Sequence, residues 1–258
     1  SDYEYDKLYD ELTELEKETG VYLSNSPTQS VGYEVLSKLE KIKHSHPMLS
    51  LDKTKSAEDL VKFSGGRDCI ISLKLDGLTC LITMNNGKLI QAESRGNGEI
   101  GELITHNAKV FKNIPLTIQD KDKREFEGEA IITKQDFDIV NDNLPAGVEK
   151  YKNCRNLASG SVRQLNSSIA KERNISFVVW KIPDGFPTFT AGFEYAKSCG
   201  FDVVPYVKYN SNTDDIHEKI EYMKKYAEFK GYPIDGLVIA YDDVAYGKSL
   251  GLTGHHPR

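Results

Sequence analysis

The chain has 258 residues, a net charge of −6, 39% hydrophobic and 28% charged residues, which is the composition of one large globular domain or two small ones, with enough length to bury a core without disulfide or metal staples. The acids cluster: residues 1–20 hold eight of them against Lys7 and Lys17, while residues 21–258 carry 31 charges of each sign, so the balance excludes a generally basic, histone-like binder and leaves a polyanion partner open. No apolar run approaches the roughly 18 residues of a membrane span, and no positive-then-apolar signal pattern stands at the start. Cys69, Cys80, Cys154 and Cys199 are too widely spaced for a zinc ribbon and read as reduced, buried thiols of a cytoplasmic protein.

In chain order, Ser1-Asp2-Tyr3-Glu4 matches a capping box, Tyr5, Leu8, Leu12 and Leu15 form one apolar stripe, and Gly20 stops the helix. After the polar loop Ser24–Thr28, Ser56 is an N-cap for a short helix through Phe63. Residues 70–73, 79–84 and 88–92 are β-rich runs separated by Asp76-Gly77 and Asn86-Gly87. Both dipeptides signal hairpins, so the three runs predict an antiparallel meander. A helix is expected over Glu102–Phe111, a strand over Glu125–Thr133 and a helix near Gln135–Asn141. Strands follow at Ile175–Ile182 and Val203–Val207 with a helix at Phe189–Cys199 between them, then a helix at Ile216–Phe229 and a strand at Ile234–Tyr241. The fold class is α+β with mostly antiparallel sheet.

Five stretches could carry chemistry. Lys74-Leu75-Asp76-Gly77 lies at a strand end beside a tight turn; it is either a hairpin with a surface lysine or a lysine nucleophile, which attacks only as the free amine. Arg95-Gly96-Asn97-Gly98 with Gly101 either is a flexible loop or brings backbone close to a ligand, with Arg95 a fork donor suited to phosphate or ribose. Glu129 sits in the β-rich run Phe126–Ile132, either pointing to solvent by alternation or buried and in need of partners. Residues 149–173 carry Lys150, Lys152, Arg155, Arg163, Lys171 and Arg173 against Glu149 and Glu172. Arg155 and Arg163 would lie about 12 Å apart on one face of a helix, either a solvated face or a contact surface for phosphates. Asp235-Gly236 leads into an apolar strand. His44 and His46, in His-Ser-His-Pro, have no further ligands nearby in the sequence and read as surface histidines rather than a metal pair.

The order of these pieces resembles the adenylation domain of NAD⁺-dependent DNA ligases of the bacterial type. Further landmarks agree: Ser-Asp-x-Glu-Tyr-Asp at 1–6, Ser26–Gln29, Pro47–Asp52, Thr105-His106-Asn107, Ile114-Pro115-Leu116, Leu250–Thr253 and Pro257-Arg258. The resemblance implies a nucleotidyltransferase fold of the ligase and capping-enzyme type over residues 46–258. A partial helical subdomain over residues 1–45 would hold the nicotinamide mononucleotide half. It also implies that Lys74 attacks the α-phosphorus of NAD⁺, carries AMP as a phosphoramidate and hands it to the 5′-phosphate of nicked double-stranded DNA, with Mg²⁺ as cofactor. By motif position, Arg95 and Glu129 face the ribose, Asp235 helps to position the lysine or the ribose, and Asp76 belongs to the nucleotide site. Ser50 and Leu51 line the adenosine pocket, Asp2, Tyr5 and Asp6 serve the nicotinamide side, and Arg155 and Arg163 face DNA or phosphate. A cytoplasmic monomer without membrane contact is expected, working with further ligase domains that this chain lacks.

Two departures stand out. Ser72 occupies the place of a glutamate that reads the adenine amino group, and Ala240 that of a lysine that contacts the α-phosphate. Losing a cation aimed at the reacting phosphate would remove several kcal/mol of transition-state stabilisation and one positive neighbour of Lys74. They motivate a second reading, a nucleotide-binding or regulatory module without turnover. An ATP-using RNA ligase or capping-type enzyme shares Lys-x-Asp-Gly but gives no reason for residues 1–30.

Overall fold

The computed structural model describes residues 2–23, 26, 38–49, 51–183 and 185–251, with the backbone alone for residues 2–7, 9, 10 and 13. Helix α1 (Asp2–Thr19) ends at Gly20, whose φ of 69° is left-handed. The capping box lies outside the described residues. Of the apolar stripe, Leu8 and Leu15 are exposed, Leu12 is half-buried and Tyr5 is described in backbone only, so the periodicity marks the helix without burying Leu8 and Leu15.

The next elements are β1 (Tyr22–Leu23), β2 (Lys41–Lys43), α2 (Ala57–Ser64), β3 (Cys69–Leu75), β4 (Leu78–Asn85), β5 (Lys88–Ser94), β6 (Ile100–Glu102), α3 (Thr105–Ala108), β7 (Pro115–Thr117) and β8 (Arg124–Ile131). Ser56 caps α2 by accepting from Asp59 N. Helices α4 (Lys134–Asp142), α5 (Cys154–Val162) and α6 (Ser167–Glu172) lead to β9 (Ser176–Lys181), α7 (Phe189–Ser198), β10 (Asp202–Val203), β11 (Tyr206–Tyr209), α8 (Ile216–Lys230), β12 (Ile234–Tyr241) and α9 (Val244–Ser249). The result is mixed α+β and antiparallel-rich, with β9–β10 a parallel pair bridged by α7. No helix among the described residues is long and apolar enough to cross a membrane.

A seven-stranded sheet runs β1-β7-β5-β4-β8-β9-β10, and a second sheet runs β11-β3-β12. Asn86-Gly87 does turn β4 into β5, with left-handed φ values of 50° and 73°. Asp76-Gly77 does not make a hairpin. The chain leaves the small sheet after β3 and enters the large one as β4, so the expected three-strand meander is split between two sheets. The predicted helix over Glu102–Phe111 is also replaced: its start is β6, paired with β2, and only Thr105–Ala108 is helical. A long-range strand partner here overrides local helical pattern. The expected strand Val203–Val207 breaks at Val204-Pro205, because proline brings no N–H for a ladder.

Strand β9 shows how the layers stack. Phe177 and Val179 join the core between the large sheet and α3, α5 and α6, while Val178 joins the core shared with β3, α2 and α8. Successive residues point to opposite faces, so a strand buried on both sides feeds two cores and leaves the junction of the sheets as the place where polar side chains gather.

Candidate functional site

Lys74 is the penultimate residue of β3 and pairs with Gly236 across the ladder. The β12 register slips between Ile234 and Gly236, and this bulge frees Asp235 from the ladder and aims its carboxylate at Lys74. Lys74 Nζ donates to Asp235 Oδ2; the lysine side chain is one-third exposed and the aspartate half exposed. The ammonium holds the Asp235 carboxyl below the usual carboxylate range.

Gly77 marks the crossing from one sheet to the other. A Cβ there would lie 2.2 Å from the Ala130 carbonyl oxygen, so only glycine fits. That approach lets Gly77 N donate to Glu129 Oε1 at 3.2 Å, while Thr79 Oγ1 donates to Oε2 at 2.9 Å. Glu129 is 9% exposed, which rejects the solvent-facing alternative. Burial pushes its carboxyl up to about 7 despite both hydrogen bonds. Asp76, beside Gly77, accepts from Arg155 Nη1 at 3.0 Å. Lys74, Asp76, Glu129, Asp235 and Arg155 therefore meet at the junction of the sheets, and Arg155 and Lys74 both act on the charge of Glu129.

Arg95 follows β5. Its N–H donates to the carbonyl of Thr79, next to Glu129, and its guanidinium makes no hydrogen bond or ion pair among the described residues. The glycines behind it are tightly packed, which rejects the flexible-loop alternative. Added Cβ atoms would lie 2.0 Å from Ile100 O at Gly96, 2.9 Å from Met48 O at Gly98 and 1.7 Å from Ser94 O at Gly101. The loop is tight because it packs against its own protein. Leu51 is exposed. Ser50 and the side chains of Asp2, Tyr5 and Asp6 lie outside the described residues, as do Pro27–Gln29 and the landmarks from Leu252 onward.

Arg155 stands in the first turn of α5, but the helix ends at Val162 and Arg163 is its C-cap, so the two do not share a helical face. Arg163 Nε lies 2.9 Å from Glu102 Oε2, an ion pair without hydrogen-bond geometry. Both arginines thus sit on carboxylates rather than free on the surface. Lys150 and Lys152 also pair with acids, and Arg173 donates to Ser161 and Tyr151.

Several residues escaped sequence reasoning. Thr79 takes part through strand register alone, which no local pattern reports. Asn107 Nδ2 donates to the carbonyls of Val162 and Gln164, both at 2.7 Å, and His106 bonds the latter, so the Thr-His-Asn landmark holds the backbone on either side of Arg163. The signal was the polar run Thr105-His106-Asn107 set between Leu103-Ile104 and Ala108. His44 is buried and His46 bridges to Glu125 and Glu127, which overturns their reading as surface histidines. Ser72 is buried two residues before Lys74. Ala240 pairs with Ile70, four residues along β12 from Gly236 and hence roughly 13 Å away. A cation there could reach a nucleotide lying along the sheet, not the Lys74 amine.

The donor set does not fit a protein-held Mg²⁺. Among the described residues no group of three or more His, Cys, Asp or Glu side chains is arranged to hold a metal ion, and the carboxylates at the junction are already committed to Lys74, Arg155, Gly77 and Thr79.

A family model described as the NAD-dependent DNA ligase adenylation domain matches residues 36–258. The DNA ligases of Lachnoclostridium phytofermentans and Ruminiclostridium cellulolyticum are each 47% identical over 263 residues, covering 100% of this chain and 40% of those proteins. That of Clostridium botulinum is 37% identical, with 42% of its length covered. The chain therefore spans about two fifths of the length of these relatives. Among solved structures, the ATP-dependent DNA ligase of bacteriophage T7 in complex with ATP is similar over 77% of this chain and 64% of that one, at 15% identity and a TM-score of 0.41.

Proposed function

This chain belongs to the family of NAD-dependent DNA ligase adenylation domains, and from that premise we propose that it performs the nucleotidyl transfer of a DNA ligase, with Lys74 taking AMP from NAD⁺ for the sealing of nicked double-stranded DNA. The observation that carries the proposal is the contact between Lys74 and Asp235 at the sheet junction, with Glu129 and Arg95 on the neighbouring strands.

Lys74 reacts as the free amine. Its proton passes to solvent before attack, while Asp235, already in contact with Nζ, keeps the amine in place. A bond forms from Nζ to the α-phosphorus as the bond from that phosphorus to the bridging oxygen breaks, and nicotinamide mononucleotide leaves with that oxygen and its electron pair. Negative charge on the phosphoryl oxygens meets Arg95, whose guanidinium is uncommitted among the described residues, and Arg155, which exchanges Asp76 for phosphate. Glu129, with Gly77 and Thr79 orienting its carboxyl, accepts from a ribose hydroxyl. No step is routed through Mg²⁺.

The same reading assigns residues 46–258 to a nucleotidyltransferase fold with Ser50 and Leu51 beside the adenosine. Residues 1–45 form a partial helical subdomain in which Asp2, Tyr5 and Asp6 hold the nicotinamide side. Arg163, backed by Asn107 and His106, faces the DNA phosphate.

The test is to incubate the chain with NAD⁺ or with ATP in Mg²⁺ buffer and to read AMP on Lys74 by intact and peptide mass spectrometry. An adduct from NAD⁺, absent in Lys74→Ala, is expected. Nucleotide binding with no adduct from either donor would overturn the proposal in favour of a module without turnover, the reading that Ser72 and Ala240 favour.

A further inference from the structure

We propose that His44 is a positioning residue for Arg95: its imidazole pins the glycine-rich turn to the sheet and so sets where the Arg95 guanidinium points. The proposal deepens the nucleotide-binding reading of Arg95 and rests on it.

His44 is 7% exposed, and both ring nitrogens are engaged. Nε2 lies 2.9 Å from the Arg95 carbonyl oxygen, and Nδ1 lies 2.8 Å from Glu93 Oε1. A carbonyl can only accept, so Nε2 donates to it, while Nδ1 faces the Glu93 carboxylate. Glu93 is 2% exposed, and its second oxygen accepts from Gln91 Nε2 at 2.9 Å. The ring is therefore a rigid spacer between a carboxylate anchored inside β5 and the first residue of the turn.

Backbone bonds make the turn and the segment before it one unit. Strands β2 and β6 pair over Lys41–Lys43, His44 N donates to Glu99 O, and Met48 N donates to Gly98 O. Gly101 leaves room for the ring: a Cβ there would lie 2.8 Å from His44 Cε1. Arg95 itself is held by three bonds, from its N–H to Thr79 O, from Gly98 N to its carbonyl, and from the His44 ring to the same carbonyl. The third is the one supplied by a side chain, and it ties Arg95, whose guanidinium has no partner among the described residues, to the buried body of the sheet. A displacement of about 1 Å at a group that contacts substrate is enough to change its contribution by up to about a hundredfold.

A ring that merely fastened residues 41–48 to the sheet would depend on Glu93. A ring that positions Arg95 depends on the carbonyl. Asparagine and glutamine separate these, because the Asn amide nitrogen reaches the place of Nδ1 and the Gln amide nitrogen that of Nε2. Single-turnover formation of lysyl-AMP by the chain is followed against NAD⁺ concentration for His44→Asn, His44→Gln, Arg95→Ala and the His44→Asn/Arg95→Ala double variant, each checked for native folding by thermal melting. His44→Asn is expected to raise the half-saturating NAD⁺ concentration about tenfold with the limiting rate within about threefold, His44→Gln to stay within about threefold on both, and the His44→Asn effect to vanish once Arg95 is alanine. His44→Asn performing as well as His44→Gln, or an undiminished His44→Asn effect beside Arg95→Ala, would overturn the proposal. A native half-saturation in Arg95→Ala alone would instead remove Arg95 from the nucleotide site. A native chain that forms no adduct at all would remove the NAD⁺ reading itself.

Discussion

Replacing Glu129 by glutamine should make the chain more stable at pH 8 and leave it nearly unchanged at pH 4.5. Burial raises this carboxyl from 4.5 to about 7, so between those values the folded protein binds the proton more tightly than the unfolded chain does. Stability then falls as pH rises through the interval and is flat above it. At about 1.4 kcal/mol per pH unit, an interval from 4.5 to about 7 corresponds to about 3 kcal/mol withheld from the folded state above pH 7. Glutamine carries no charge to bury. It can keep the Gly77 N–H on its carbonyl and donate from its amide to the Thr79 hydroxyl, which rotates to accept. The variant-minus-native difference should therefore grow from near zero at pH 4.5 to about 3 kcal/mol at pH 8, or roughly 6–12 °C in Tm for a chain of this size. Urea titrations or thermal melts of both proteins at the two pH values measure it, and other titrating groups cancel in the difference. A gap equal at both values would refute the assignment of a buried, desolvated carboxyl. Adenylation should fall in the same variant, so that gained stability and lost activity appear together.

The Glu125 carboxylate, 3.6 Å from Nδ1, and the hydrogen bond to Glu127 raise His46 from 6.5 to about 9, and Glu125 is drawn down to about 2. His46 therefore contributes fully below its unfolded value and loses its contribution as pH rises through about 9. Replacing it by glutamine should cost about 2 kcal/mol at pH 6 and much less at pH 10; a pH-independent cost measured by urea denaturation would disprove the ion pairing. Gly77→Ala must displace the Ala130 carbonyl and should cost at least about 2 kcal/mol while uncoupling Glu129 from its donor; an unchanged melting temperature would contradict the close approach. Ala240→Lys, too far along β12 to touch the Lys74 amine, should lower the half-saturating NAD⁺ concentration and raise the adenylation rate without moving its pH dependence. Lysyl-AMP kinetics across pH check this, and no gain in rate would refute a role for a cation at that position.

Much of the secondary structure was legible because local rules governed it. Helix α2 begins at the Ser56 cap, α8 follows its apolar period, and β12 spans the Ile234–Tyr241 run. The errors share a cause. Asp76-Gly77 carries a hairpin signal, yet Gly77 is glycine because of Ala130, a residue more than fifty positions away. For the glycines after Arg95 the sequence left a flexible loop open, and the tight packing against the Ser94, Ile100 and Met48 carbonyls and the His44 ring, all set by distant pairing, rejects it. At the site, the lysine, the arginine and the carboxylates were all visible as motifs. Of their pairings the resemblance offered only Asp235 with the lysine or the ribose, and a bulge in β12 selects Lys74; Arg155 with Asp76 is set by the docking of α5 and Glu129 with Thr79 by the β4–β8 register.

What the sequence by itself determined is the chemical inventory and its order along the chain, because residue type and motif spacing are local facts. Which carboxylate touches the nucleophile, which one is buried enough to hold its proton near neutrality, and that a histidine read as exposed is sealed between Glu93 and Arg95 were decided by the tertiary structure. Charge, desolvation and hydrogen-bond reach act through space over a few ångströms, and those few ångströms join residues separated by dozens of positions in the chain.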